Sequence, residues 1–152
     1  MTTTSVLPRY QHGPVTFQVS TAVLGGMLVE SDGSSPAMVQ PASADSELVI
    51  GVATVDAVPT TTDQTPTVPG WPGPSINIAA LPPYTAVAAE GVWPCLYAAD
   101  AAFGDRLKAA ATGQVTPWIS GTDNPELIIG ICYEPDGVTA THFGATRLAG
   151  LA

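Results

Sequence analysis

Two histidines, His12 and His142, two cysteines, Cys95 and Cys132, and 13 carboxylates are the side chains in this sequence of 152 residues whose types most readily move a proton, attack a carbon or hold a metal. Histidine is the usual general base near neutral pH, and a thiolate is both nucleophile and metal ligand. The surroundings support neither role. His12 and His142 stand in polar or small-residue settings, and no G-x-S-x-G, H-E-x-x-H or Walker sequence accompanies them, so each reads as a surface or interface histidine. Cys132 ends an apolar run and reads as a small buried hydrophobe, while Cys95 follows Trp93-Pro94 at the start of a strand. The pair lacks the close partner spacing of a zinc site. A disulfide is open to them, but a reducing compartment favours two free thiols. "ESDG" (Glu30 to Gly33) begins as a calcium loop would, yet lacks the later acidic ligands. Asp100 and Asp105 flank a turn, where aspartate hydrogen-bonds nearby backbone. These residues predict no enzyme, no metal and no cofactor, and leave binding as the function to be positioned by the fold.

The chain spells part of that fold twice. "ELVIGVA" (Glu47 to Ala53) returns as "ELIIGIC" (Glu126 to Cys132), an offset of 126 minus 47, or 79, and the pairs Gly25/Gly104, Leu28/Leu107 and Gly51/Gly130 share it. In that frame "VTFQV" (Val15 to Val19) lies over "PCLYA" (Pro94 to Ala98). Internal repetition at a fixed period marks a duplicated supersecondary unit. Val15, Phe17 and Val19 alternate with polar residues, the period of a half-buried strand. A turn on Gly25-Gly26 or Gly104-Asp105 leads to a short strand at Met27 to Glu30 or Arg106 to Ala109, and Leu48 to Val52 and Leu127 to Ile131 read as apolar strands. The glycine inside each predicts a bulge or a close backbone approach. Helix competes for "AADAAFGDRLKAAAT", but Gly104 limits it to a short helical turn. "YTAVAAEG" (Tyr84 to Gly91) matches "FGATRLAG" (Phe143 to Gly150) at an offset of 150 minus 91, or 59, so the first copy carries about 20 extra residues by the same spacing argument. Residues 59–75, rich in proline and glycine, fill that place as a surface excursion. It is either a floppy loop or a partly ordered one that docks Trp71.

The resulting expectation is an all-β, compact barrel- or sandwich-like domain of two duplicated β units: an N-terminal arm over 1–13, then a single domain over 14–152, with repeat one at 14–91 and repeat two at 93–150. A hydrophobic fraction of 45% with 15 Gly and 15 Pro favours short strands and many turns. Only 11% of residues are charged, and the net charge of -9 repels phosphate backbones, so nucleic acid is not expected as a partner. The apolar stretches are too short to span a bilayer and the first residues do not resemble a signal peptide, so no membrane is expected either and the chain is expected to be made and used in a cytoplasm. Low charge with many small apolar residues suggests a surface that ends up covered by protein.

The ordered set "TAVAAEGVW", "AADAAFGDRLKAAATGQVT", "ELIIGIC" and "FGATRLAG" resembles the head decoration, or cement, proteins of tailed bacteriophages, especially phages of actinobacteria. The likeness covers Tyr84 to Gly150 well and Thr16 to Val58 weakly, and the insertion with Trp71 departs from it. It implies a small β-rich virion protein, assembled in the host cytoplasm, that binds the outer surface of the expanded capsid as a homotrimer and bridges the capsomers of the major capsid protein. A head-fibre or tail structural protein is a second reading. A surface glycan-binding module, with Trp71, Trp93 or Trp118 as stacking platform, is a third.

The arm has no counterpart in the second repeat. It gathers Leu7, Arg9, Tyr10 and His12 around Pro8, and an extended segment of this kind can add to a neighbour's sheet edge; arginine and tyrosine are frequent interface anchors. A frayed terminus is the alternative. These four residues and Trp71 are the candidates for capsid or partner contact. Deleting residues 1–13 is expected to leave a folded protein that no longer decorates heads; unchanged head binding by the truncated chain overturns the assignment.

Overall fold

A computed structural model of the protein describes residues 14–35, 37–61 and 81–149. β-branched residues alternating with polar ones, interrupted by glycine and proline turns, give ten short strands. The first five are β1 (Val15–Val19), β2 (Leu28–Ser31), β3 (Met38–Pro41), β4 (Val49–Ala53) and β5 (Tyr84–Ala88). The second five are β6 (Gly91–Leu96), β7 (Arg106–Ala109), β8 (Val115–Pro117), β9 (Gly130–Cys132) and β10 (Phe143–Leu148). Single 3-10 turns at Ala111–Gly113 and Pro125–Leu127 are the helical pieces among the described residues. The protein is thus all-β.

Strands β1 to β5 close into a barrel in the order β1-β3-β2-β4-β5. Its seams are an antiparallel β1/β5 ladder running from Val15↔Val87 to Gln18↔Tyr84 and a parallel β1/β3 pair at Gln18↔Met38 and Val19↔Val39. Strands β6 to β10 form a second sheet, β6-β10-β9-β7-β8. This is the same cyclic order, with β6 for β1, β10 for β5, β9 for β4, β7 for β2 and β8 for β3. A parallel bridge between Tyr97 and Val115 stands where β1 meets β3, and by this single bridge the second sheet curls into a second, less completely closed barrel. There Ala98 N–H donates to Val115 O at 2.8 Å, as Ser20 N–H donates to Val39 O at 3.0 Å.

The ladders fix which residues are equivalent. Leu28↔Val52 and Val29↔Gly51 in the first unit correspond to Arg106↔Ile131 and Leu107↔Gly130 in the second. Val29 rather than Leu28 therefore occupies the place of Leu107, and Gly26 (φ +88) rather than Gly25 that of Gly104 (φ +86). The path from β7 to β9 is one residue longer than that from β2 to β4, which a gapless overlay at 79 hides. Gly25 instead ties two loops together, its N–H donating to Asp56 Oδ1 at 2.7 Å. Leu127 also departs from the expected continuous strand. Pro125 and Asn124, whose Oδ1 accepts from Glu126 N–H at 3.2 Å, start a 3-10 turn there, and β9 begins only at Gly130.

Inside the first barrel, Val19, Val23, Val29, Val39, Ala53, Ala57 and Val87 form the core. The equivalent places in the second unit hold Tyr97, Ala101, Leu107, Val115, Cys132, Val138 and Thr146, all buried. Each valine or leucine so buried contributes about 1.5–3 kcal/mol. The two hydroxyls satisfy each other: Tyr97 Oη lies 2.8 Å from Thr146 Oγ1. Cys95 and Cys132 are buried and unbridged, and burial pushes the Cys95 thiol up to about 11, so it stays protonated and unreactive.

The two units share a joint. Leu28, Ala42, Val49, Val52 and Ala88 are buried in one cluster with residues of the second unit. Leu96 N–H donates to Gly26 O at 3.2 Å, Gly113 N–H to Ala42 O at 2.9 Å and Asp45 N–H to Ala109 O at 3.1 Å. Lys108 Nζ sits 2.7 Å from Asp45 Oδ1 and 2.7 Å from Asp123 Oδ1.

The packing can be tested at a glycine and by pH. A Cβ at Gly51 would meet Ala88 O, and one at Gly130 would meet Arg147 O; β4 also bulges here, where Val29↔Gly51 gives way to Glu30↔Val49. Gly130 is not among the positive-φ glycines, so Gly130→Ala isolates the clash. It is expected to destabilise by about 1–3 kcal/mol, the usual cost of overpacking, seen as a lower denaturant midpoint; an unchanged midpoint contradicts the packing described. For pH, the ionised groups set the sign. Hydrogen bonds from Ser34 and Ser35 hold Asp32 down to about 2, from an ordinary 3.8. The Lys108 ammonium lowers Asp123 and is itself raised by Asp123 and Asp45. At Glu30, burial pushes the carboxyl up, but hydrogen bonds from Ser46, Gln40 and Ser43 outweigh it and the net shift is downward. Depressed carboxylates stabilise above their unfolded values and lose this as pH falls through the folded ones; the raised lysine stabilises below 10.5 and loses this as pH rises through its folded value. The buried Cys95 thiol, raised from 9.0 to about 11, likewise stabilises below 9.0 and loses this as pH rises through its folded value. Stability is therefore expected to fall below about pH 4 and above about pH 9, and Lys108→Met is expected to flatten the part of the alkaline limb above about pH 10.5 in urea melts; an unaltered limb there counts against the pairing.

Candidate interaction surface

The sequence candidates for partner contact, Leu7, Arg9, Tyr10, His12 and Trp71, lie outside the described residues, as do residues 62–75 of the insertion. The other polar residues singled out by sequence serve turns. Asp100 Oδ1 accepts from Ala140 N–H and Asp105 Oδ2 from Ala102 N–H, each at 2.8 Å. Asp32 Oδ1 accepts from Ser34 N–H and Ser34 Oγ, both at 2.7 Å. Glu30, buried, accepts from Ser43 Oγ at 2.9 Å and Gln40 Nε2 at 3.0 Å. His142 is exposed, with Nδ1 3.0 Å from Ala140 O. An open cleft of about 390 Å³ between Asp100–Ala102 and Asp136–Thr139 gathers two carboxylates, but among the described residues no cluster of metal-ligating side chains forms.

What the strands do assemble is a face on the outside of the second sheet. Ladder pairing sets Arg106 beside Ile131, Ile131 beside Arg147, and Arg147 beside Val92, one row across four strands. Trp118 extends the row, with the Arg106 guanidinium 5.7 Å from its ring centroid, an arrangement in which the cation meets the negative face of the ring. Ile119 beside it is 59% exposed. Farther along, Phe103 and Tyr133 pair with ring centroids 5.9 Å apart, and exposed Phe143 lines, with Val92, Pro94 and Glu134, a cleft of about 310 Å³. Among the described residues neither Arg106 nor Arg147 takes part in an ion pair. Exposed aromatic and aliphatic residues around arginine are the composition of a protein-binding surface. Of the tryptophans considered as sugar platforms, Trp93 and Trp118 donate through Nε1 to Glu90 O at 2.7 Å and Asn124 O at 3.0 Å, and the Trp118 ring also meets the Arg106 guanidinium.

Sequence reasoning missed this face because Arg106, Ile131 and Arg147 come from three separated stretches. The signal was present: of the 4 basic residues in the chain, Arg106 and Arg147 replace Leu28 and Ala88 of the first unit once β7 and β10 are laid over β2 and β5.

No family model and no curated protein matches the sequence. The fold does have solved counterparts. The chain is similar to the head fiber gp8.5 N base in bacteriophage phi29, with a TM-score of 0.60 and 16% identity over 91% of this chain and 95% of that one. It is similar also to a chain of the capsid of Myoviridae Phage XM1, with a TM-score of 0.56 and 16% identity over 97% of this chain and 89% of that one. At such identity the likeness is one of fold, and it spans nearly the full length of both partners.

Proposed function

We propose that the protein is a structural component of a tailed-phage head, which binds the outer surface of the expanded shell as a trimer and bridges neighbouring capsomers of the major capsid protein. The observation that carries the reading is the near end-to-end fold likeness to a phage head-fibre base and to a chain of a phage capsid. The side chains agree with it. The pairing of hydroxyls in the second core, the protonated Cys95 and the turn-bound carboxylates give these groups structural roles, while an exposed arginine and aromatic face is suited to contact with protein. A trimer touching several shell subunits gains through multivalency even where each contact is weak.

The likeness to a head-fibre base gives one specific reason to keep that role as the second reading. Position on the particle separates the two: a decoration protein is spread over many equivalent shell sites, whereas a fibre base carries an attached fibre. Purified protein mixed with undecorated, expanded heads is expected to co-sediment saturably and to raise the temperature at which the heads open. Absence of binding to expanded heads overturns the shell assignment.

A further inference from the structure

The joint between the barrels has two sides. The first barrel presents Gly26, Leu28, Ala42, Val52 and Ala88. The second receives them with Pro94, Leu96, Ala109, Gly113 and Phe143. Because the barrels are repeats, each also carries the other's side. The second barrel's copy of the presenting side is Gly104, Arg106, Trp118, Ile131 and Arg147. Backbone bonds establish the match: Trp118 N–H donates to Arg106 O at 2.7 Å, as Ala42 N–H donates to Leu28 O at 2.9 Å. The first barrel's copy of the receiving side is Thr16, Gln18, Ser31, Ala37 and Tyr84. Here Ala37, with φ +62, takes the left-handed place of Gly113, with φ +71, and Asp32 N–H donates to Met38 O as Ala110 N–H does to Gln114 O.

Among the described residues nothing packs on either copy as the two sides of the joint pack on each other. A Cβ on Gly26 would come within 3.0 Å of Pro94 O and closer still to the Phe143 ring, whereas one on Gly104, in the same backbone conformation, would meet nothing within 4 Å. Thr16, Ser31 and Ala37 are exposed, and Tyr84, the counterpart of Phe143, is 51% exposed. Among the described residues there is thus one presenting surface and one receiving surface to spare, and both are built on the backbone that already fits inside the chain.

We propose that the Arg106, Ile131 and Arg147 face of one chain docks on the Thr16, Ser31 and Tyr84 surface of a second copy, repeating the intramolecular joint head to tail. Contacts of this heterologous kind close into rings where the rotation per step permits, and this names the interface of the trimer on which the reading above rests. Charge favours the pairing. The presenting face holds two arginines without ion-pair partners among the described residues, and the receiving surface carries Asp32 in a chain of net charge -9. A hydrophobic presenting side suits the permanent joint; an arginine-bearing one suits a surface that must stay soluble until it meets its copy.

The test uses the full chain and its mass by light scattering. The parent is expected at a multiple of 15.5 kDa. Arg106→Glu with Arg147→Glu removes the presenting side, and Thr16→Arg with Tyr84→Arg removes the receiving side; each double variant is expected to run as a single chain with unchanged thermal melting. Mixed one to one, they retain one good surface of each kind, and their altered surfaces face each other as carboxylates against guanidinium groups, so the mixture is expected to assemble beyond the single chain. A parent that stays monomeric at high concentration, variants that keep the parental mass, or a mixture that stays monomeric each overturn the proposal. If the arginine variant keeps its mass and loses only binding to expanded heads, the face belongs to the shell and the ring interface is refuted while the head assignment stands. Assembly that responds as expected in a protein that ignores heads supports the interface and sinks the shell assignment instead.

Discussion

Everything else in the molecule depends on the covering of the first barrel by the second along Leu28, Val52 and Ala88. A five-stranded barrel lined by Val19, Val29, Val39, Ala53 and Val87 has a small interior, and a unit of this size buries too little apolar surface to be comfortably stable alone. Its strands must therefore be apolar on the outside as well, at Leu28 and Val52, and that outer row has to be taken from water. Once the second barrel provides the cover, both faces are buried along β4 and at Leu28 and Val29 of β2, and β4, "VIGVA", reads as an unbroken apolar run rather than an alternating one.

The close fit follows from that requirement. Barrel backbones can approach only where side chains are absent or small, which is why Gly26 meets the Phe143 ring and Gly113 lies against Leu28 O. The same logic within each barrel places Gly51 and Gly130 against the carbonyls of the neighbouring strand. Lys108 then closes the rim of the joint by pairing with Asp45 across it and with Asp123 on its own side. A lysine held between two carboxylates adds direction to an otherwise apolar contact.

How much of this is legible in the sequence depends on which physical signal each element leaves. Strands β1, β2, β4, β5, β7 and β10 are visible because burial imposes an apolar period or run, and the duplication is visible because both copies solve the same backbone problem with glycine. Strand β3, "MVQP", leaves no such trace: a four-residue strand ending in proline carries almost no periodicity. The one-residue slip between Leu28 and Val29 is hidden for a related reason. Both residues are fully buried, one in each cluster, so hydrophobicity cannot say which is the inward one; only the ladder to Gly51 can. The arginine face is the least legible part, since its residues become neighbours only through pairing across β6, β10, β9 and β7.

The repeats diverge most where the chemistry of their surroundings differs, and that pattern points to what the second unit's outer surface is for. At inward positions, valine and alanine change to tyrosine, threonine and cysteine, but the sites stay buried and their polar atoms satisfied, so the core changes its contents without opening. At the outward positions the exchange is of another kind: Leu28, Ala42 and Ala88 give way to Arg106, Trp118 and Arg147. If solvent were the lasting environment of that face, the least costly replacements in a charge-poor acidic chain would be small polar residues. A tryptophan stacked under an arginine, beside an isoleucine and a second arginine, is costly to leave wet and becomes favourable when a partner excludes water from it. The scarcity of basic residues sharpens the point, because a chain with 4 of them has committed two to one row of one sheet.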